Sequence, residues 1–276
     1  MFDSLTFDNK EIEDFYKKIF MVLNNYIDNN KLLENINKKK IFTIFLCDIL
    51  SLSNETIKIY ENIQNDKVFV LTKVDILPKN IKYESIIRNI ENSFKIKPLI
   101  FSYKNTKLKN NLFSLIEKHK KVLITGIVSS GKSTLINTLF DENITVSHYR
   151  NTTLDFIEIN KDNLTIIDSP GFDTKVITER SKNILKEKII NLKKGFKLTI
   201  DNISLYSDED INICIFMPNL TVKTYKNKDK YKMVKINNNT DLVFDNFFIY
   251  FKKGATIYLN NDSFNLRESI IGKKYE

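Results

Sequence analysis

The run Gly126-Ile-Val-Ser-Ser-Gly131-Lys132-Ser133 constrains this chain more than any other feature, because the pattern G-x-x-x-x-G-K-S/T works only between a strand and a helix. Both flanks are present: KVLITG (121–126) is a short apolar run, and 133–140 has helical composition. In such a loop the glycines let successive backbone N–H groups turn inward around phosphate oxygens, and the helix N-terminus adds the positive end of its dipole. Gly126, Ser129, Ser130, Gly131, Lys132, Ser133 and Thr134 are the candidate phosphate-binding set. Lys132 is expected to reach the outer phosphates of a nucleotide and Ser133 to ligate Mg²⁺.

The surrounding pattern suits that loop. Upstream, IFTIFLC (41–47), KVFVLT (67–72) and PLIFS (98–102) alternate with amphipathic segments near 54–64, 80–94 and 108–118. Continuous Val/Ile/Leu/Phe runs separated by helices indicate parallel strands covered on both faces. Downstream, LDFIEI (154–159) and NLTIID (163–168) predict two adjacent strands that finish the sheet. The segment 8–39 lacks Pro and Gly and places Phe15, Ile19, Leu23 and Ile27 at helical spacing, which predicts one or two amphipathic helices. Segment 175–194 is expected to be a helical connector. After it, runs such as DINICIFM, YKMVKI and DLVFDNFFIYF, separated by polar turns, predict a small β-rich domain. The expected architecture is therefore α/β over 1–190, with helices on both faces of a mostly parallel sheet, followed by a β-rich domain over 191–276.

Composition narrows the class. A chain of 276 residues can bury a large core, and no stretch approaches the roughly 18 to 20 consecutive apolar residues of a membrane span. The first 15 residues carry early acids and lack a basic region followed by an apolar one, so a cytoplasmic location is expected. Cys47 and Cys214 each sit in an apolar run and read as buried thiols, with no zinc site expected. Lys and Arg outnumber Asp and Glu by 43 to 34, a net charge of +9. That excess suits attraction to a phosphate backbone, and it equally suits the Lys, Asn and Ile bias of an AT-rich genome.

Four further motifs sharpen the chemistry. Asp168-Ser-Pro-Gly171 ends an apolar run about 35 residues after the loop, where an aspartate can hold a water of the Mg²⁺ shell and the backbone N–H of Gly171 can sense a γ-phosphate. Between them lies Asn151-Thr152-Thr153, directly before a predicted strand. Thr153, favoured over Thr152, would give its hydroxyl to Mg²⁺ and order the loop in the triphosphate state only. Thr72-Lys73-Val74-Asp75 and Ser102-Tyr103-Lys104 stand at two predicted strand ends. The Asp75 carboxylate can accept two hydrogen bonds from the N1–H and exocyclic amine of guanine, which adenine cannot supply, and the aliphatic stem of Lys73 can cover the base.

The order of these motifs is unusual: TKVD, SYK, GIVSSGKS, NTT and DSPG place base recognition before phosphate binding. The chain resembles the circularly permuted GTPases of ribosome assembly, and TKVDILPK, KVLITGIVSSGKSTLIN, VSHYRNTTLDFIEI and IIDSPGF look most like the YqeH type. The resemblance covers residues 40 to 175 firmly and the β-rich region loosely. It implies a P-loop GTPase domain, circularly permuted, with GTP and GDP as ligands, Mg²⁺ as cofactor, Lys132, Thr153 and Gly171 as catalytic elements, Ser133, Thr153 and Asp168 around the metal, and a precursor of the small ribosomal subunit (rRNA or ribosomal protein) as partner. Four departures stand out. The zinc-binding cysteine cluster usual at the start of that type is lacking. Thr72 replaces the usual Asn, weakening a tie between base site and phosphate loop, and Ser129 replaces an Asn that coordinates potassium in related GTPases. Phe172 stands where a Ras-like enzyme has its water-orienting glutamine, which implies slow intrinsic hydrolysis; His148 is read as a surface residue. A large-subunit assembly GTPase, a non-hydrolysing GTP-bound RNA scaffold and an ATP-using P-loop kinase remain as alternatives, the last without a visible acceptor site or lid. In the β-rich region Lys193, Lys194, Lys197, Lys223, Lys226, Lys228 and Lys230 interleave with Tyr225 and Tyr231, a composition suited to an RNA surface or to a merely solvated one.

Overall fold

The computed structural model describes residues 28–140, 156–161, 163–174, 183–219, 221–226 and 230–271. The expected helical positions Phe15, Ile19, Leu23 and Ile27 lie outside these residues, as do His148, Thr152 and Thr153. The first described half is an α/β layer: α1 (Asn29–Lys39), β1 (Thr43–Asp48), α2 (Asn54–Glu61), β2 (Lys67–Thr72), α3 (Tyr83–Phe94), β3 (Leu99–Ile100), α4 (Thr106–His119), β4 (Lys121–Gly126), α5 (Lys132–Phe140), β5 (Ile157–Lys161) and β6 (Leu164–Asp168). Short polar side chains begin two of the helices. The N–H of Thr56 donates to Ser53 Oγ (3.2 Å) and that of Leu108 to Asn105 Oδ1 (3.2 Å), each satisfying a donor left over by the first turn.

The six strands are ordered β3-β2-β1-β4-β6-β5, all parallel except β5, which runs antiparallel to β6. Every residue of β1 is buried, as its unbroken apolar run demands. Phe45 and Cys47 point to one side, with Leu32 and Ile36 of α1, Ile57 of α2 and Ile86 and Ile90 of α3. Ile44 and Leu46 point to the other, with Leu112 and Ile116 of α4 and Leu135 and Ile136 of α5. This is the doubly covered, mostly parallel sheet of a P-loop GTPase domain, as the residue pattern led us to expect.

The second half is a β-sandwich. One sheet has the order β16-β13-β14-β10-β7, from β7 (Lys186–Leu192), β10 (Ile211–Met217), β13 (Thr240–Val243), β14 (Phe248–Phe251) and β16 (Asn265–Glu268). The other has the order β11-β8-β9-β15-β12, from β8 (Phe196–Ile200), β9 (Ile203–Ser207), β11 (Val222–Lys226), β12 (Lys232–Ile236) and β15 (Ala255–Leu259). Leu192, Ile213, Ile215 and Ile249 of the first sheet meet Leu198, Leu205, Ile257 and Leu259 of the second in a shared core. One expectation fails. Residues 186–192, read as the end of a connecting helix, form an edge strand paired with β10 from Lys186↔Met217 to Leu192↔Ile211. Its lysines and leucine have good helix propensity, but pairing with a strand that is buried on both faces overrides it, and lysine on an edge strand also discourages stray pairing.

Period-2 alternation gives the first sheet a second apolar face. Cys214, Phe216, Val243, Phe248 and Tyr250 turn away from the sandwich core and join the cluster built around Phe45 and α1 to α3. The Phe216 and Phe248 rings stack there at 4.6 Å. Both cysteines are buried thiols in this layer, as expected. Arg267 of β16 lies in the same seam, wholly buried. Its Nε donates to Asp241 Oδ2 (3.2 Å) and its Nη1 to the carbonyls of Ile49 and Leu52 (3.3 Å to the latter), in the loop after β1. Burial pushes the Asp241 carboxyl up, and Arg267 opposes that shift. Removing one member of such a pair strands the other charge in a dry seam. Arg267→Met is expected to lower unfolding stability by about 3–5 kcal/mol, read as a drop in the urea midpoint, and Arg267→Met combined with Asp241→Leu to recover much of it.

Candidate nucleotide-binding site

Because β1, β2, β3, β4 and β6 are parallel, their carboxyl ends share one edge of the sheet: Asp48, Thr72, Ile100, Gly126 and Asp168. Chain direction reverses its walk across the sheet between β1 and β4, so a crevice opens at that edge. Two groups of motif residues far apart in sequence converge there. The phosphate loop leaves β4, and the Thr72–Asp75 and Ser102–Lys104 motifs leave β2 and β3.

Gly126 must be glycine. It sits opposite Leu46 in the β1–β4 ladder with φ +145°, and a Cβ built on it would lie 2.0 Å from the Leu46 carbonyl oxygen. Behind it the loop is held from two sides. The N–H of Phe172 donates to the Gly126 carbonyl (2.9 Å) and the N–H of Val128 to the Phe172 carbonyl (3.0 Å), so the DSPG segment continues from β6 along the loop. The Phe172 ring is fully buried, 6.0 Å from the Phe45 ring, and does not face the crevice. Its neighbour Gly171 does. A Cβ there would stand 2.9 Å from both Lys132 Nζ and Val128 Cγ2, so glycine lets this backbone lie against the lysine without displacing either side chain.

Lys132 is 8% exposed, and desolvation lowers its pKa to about 8, with the nearby Asp168 carboxylate acting in the opposite direction. A desolvated ammonium at the N-terminus of α5 is suited to phosphate oxygens. Ser133 is half-buried in the first turn of α5 and Asp168 is buried at the end of β6. A hydroxyl and a carboxylate are the hard oxygen donors Mg²⁺ prefers, and in GTPases the ion bridges and neutralises the outer phosphates. The two residues fit that role.

The base motifs are bound to the phosphate loop itself. Thr72 Oγ1 donates to the Ser130 carbonyl (2.6 Å) and Lys73 Nζ to the Ser129 carbonyl (2.6 Å). The expectation that threonine at position 72 weakens this tie is therefore corrected: a short side chain suffices because β2 brings its end close to the loop. Thr72, Lys73, Asp75, Ser102, Lys104 and Ser130 are among the residues lining one pocket, which Gly131 and Thr134 also reach. Within it Asp75 Oδ2 pairs with Lys104 Nζ at 2.9 Å, and that hydrogen bond raises the lysine's pKa. Tyr103 is half-exposed at the rim.

Two residues near the site were not singled out from the sequence. Asn29, at the start of α1, grips the backbone of Asp173 with both ends of its amide: Nδ2 donates to the Asp173 carbonyl (2.6 Å) and Oδ1 accepts from the Asp173 N–H (3.0 Å). Asp48 accepts from the N–H groups of Leu50 (2.9 Å) and Ser51 (3.0 Å) and from Ser51 Oγ (2.9 Å), shaping the turn that follows β1. No local pattern marks Asn29; Asp48 could have been found as a polar residue ending a buried strand.

Two family models match the chain. Residues 50–177 match the model described as RsgA GTPase, and residues 121–241 match the one described as 50S ribosome-binding GTPase. The first match runs through Thr72–Asp75, the phosphate loop and Asp168–Gly171 in the order found here; the second begins at β4. No curated protein matches.

Two outcomes follow from this geometry. If the charged form of Lys132 binds phosphate, bound phosphate would hold its pKa above 8, so GDP affinity is expected to be flat below about pH 8 and to fall as pH rises beyond it. Lys132→Ala is expected to weaken GDP binding by roughly ten- to a hundredfold and to abolish that slope in a fluorescent-nucleotide titration. Thr72→Val, which deletes one hydrogen bond of net worth about 1 kcal/mol, is expected to weaken GDP several-fold without altering the preference for guanine over adenine.

Proposed function

We propose that this protein is a cytoplasmic, circularly permuted GTPase that acts as a switch in assembly of the small ribosomal subunit. The observation that carries the reading is the single pocket in which Asp75, at the end of β2, stands beside a phosphate loop that follows it in the chain. Guanine N1–H and N2–H₂ would replace Lys104 as donors to Asp75, while the loop amides and Lys132 hold the phosphates. Ser133 and Asp168 would hold Mg²⁺, joined by Thr153 in the triphosphate state. Gly171 would report the γ-phosphate through its backbone N–H, which its approach to Lys132 supports.

Hydrolysis would be slow in the isolated protein. The residue after Gly171 is Phe172, whose ring is packed in the core, so it cannot orient an attacking water. A partner or another side chain must do so, as befits a switch whose turnover is set by its target. The basic net charge supports an RNA-containing partner. Among the described residues, no helix is long and apolar enough to cross a membrane.

A second reading, a large-subunit assembly factor, is favoured by the description of the second family model. The small-subunit reading is preferred because TKVDILPK, the phosphate-loop segment and IIDSPGF look most like the YqeH type, and the RsgA match spans these motifs in this chain's order. Sedimentation through a sucrose gradient decides between them. The protein with a non-hydrolysable GTP analogue is expected to travel with the 30S fraction and with GDP to stay at the top. Travel with the 50S fraction would establish the second reading, and nucleotide-independent behaviour with no ribosome-stimulated turnover would point to a non-hydrolysing scaffold.

A further inference from the structure

The sheet β11-β8-β9-β15-β12 is the sandwich layer remote from the G domain, since it is the other sheet that packs against Phe45 and α1 to α3. One of its faces supplies Leu198, Leu205, Ile257 and Val234 to the sandwich core. Strand pairing puts a very different row on the opposite face: Tyr225 opposite Lys197, Lys197 opposite Tyr206, Tyr206 opposite Tyr258, and Tyr258 opposite Met233. With strands about 4.8 Å apart, this row is roughly 19 Å long and crosses all five strands.

The row has the properties of a stacking surface. The Tyr206 and Tyr258 rings lie parallel, 4.7 Å apart and within 10°, and Tyr231 leans on Tyr206 at 5.7 Å. Tyr225 is 47% and Met233 55% exposed, both large apolar groups left in water. Lys223 and Lys235 are exposed on the same face, two residues from Tyr225 and Met233 along their strands, and Lys230 is exposed just before β12. Two of the carboxylates near this sheet are engaged by it: Asp208 with the Tyr258 hydroxyl, and Asp262 with Lys232 at 2.7 Å. Lys193, grouped with these residues by sequence, pairs instead with Asp210 (2.7 Å). Protein interfaces are depleted in lysine, whereas flat aromatic rings ringed by lysines suit bases and phosphates together.

We infer that this face binds single-stranded RNA, with bases stacked on Tyr225, Tyr206 and Tyr258 and phosphates against Lys197, Lys223 and Lys235. The surface is independent of the nucleotide site; only the choice of RNA over DNA rests on the proposed ribosomal role. The test is fluorescence anisotropy of the full chain loaded with GDP, using an unstructured labelled RNA of about 12 nucleotides, its duplex, and the DNA strand of the same sequence. The single-stranded RNA is expected to bind, more weakly as salt is raised, and more tightly than the duplex. Tyr206→Ala with Tyr225→Ala is expected to weaken it by about tenfold or more, Tyr225→Ala alone by several-fold, and Tyr206→Phe with Tyr225→Phe by no more than about twofold. GDP affinity, measured in parallel, is expected to be unchanged in every variant, so loss of the RNA surface is separable from failure of the GTPase reading. Preference for the duplex or the DNA, equal losses in the Phe and Ala pairs, or no RNA binding by protein that binds GDP would overturn the inference.

Discussion

The pairing of Leu46 with Gly126 is the seam on which the site depends. On one side of it β1, β2 and β3 carry the base motifs; on the other β4, β6 and β5 carry the phosphate loop and the DSPG segment. The two backbones approach so closely that a single methyl group at position 126 would collide with the Leu46 carbonyl at 2.0 Å. Once β1 and β4 are zipped together, the ends of β2 and β4 lie close enough for Thr72 and Lys73 to reach the carbonyls of Ser130 and Ser129. Chain order is irrelevant to this geometry. A parallel sheet presents its carboxyl ends to the same crevice whichever strand is made first, which is why a permuted connection can preserve a nucleotide site.

Permutation does alter what is attached to the site. After Asp168–Gly171 the chain is held at Asp173 by Asn29, and the N–H of Leu185 donates to the Ile76 carbonyl (2.6 Å), next to Asp75. Strand β7 begins at the following residue, and its partner β10 sends Cys214 and Phe216 into the G-domain core. Arg267 then reaches back to the turn after β1. The sandwich is thus anchored at three places around the crevice, next to the base motif, beneath the β1 turn and against α1 to α3.

Much of this was legible in the sequence, for identifiable reasons. This glycine-poor chain has only six glycines, and three of them fall in the phosphate loop and the DSPG motif: Gly126 and Gly171 stand where the backbone makes a close approach, and Gly131 where φ is +96°. The parallel strands were visible because burial on both faces imposes unbroken apolar runs, as in β1. What stayed hidden depends on contacts between distant segments. The fate of residues 186–192 was decided by pairing with β10, not by their own lysine-rich composition. The grip of Asn29 on Asp173, 144 positions away, and of Arg267 on Ile49, 218 positions away, leaves no periodic trace. The adequacy of Thr72 depended on how near β2 ends to Ser130, which only three dimensions can supply.

The central claim is that base recognition by Asp75 and phosphate binding by the Lys132 loop form one guanine-selective site. It is tested most directly by equilibrium binding of GDP, GTP, ADP, ATP and xanthosine diphosphate, with Mg²⁺, to the wild type and to Asp75→Asn. The account predicts that the wild type binds guanine nucleotides at least a hundredfold more tightly than adenine nucleotides, and that Asp75→Asn, which turns an acceptor into a donor, shifts preference toward the xanthine base. Equal affinity for adenine and guanine in the wild type, or an Asp75→Asn variant with unchanged selectivity, would contradict it.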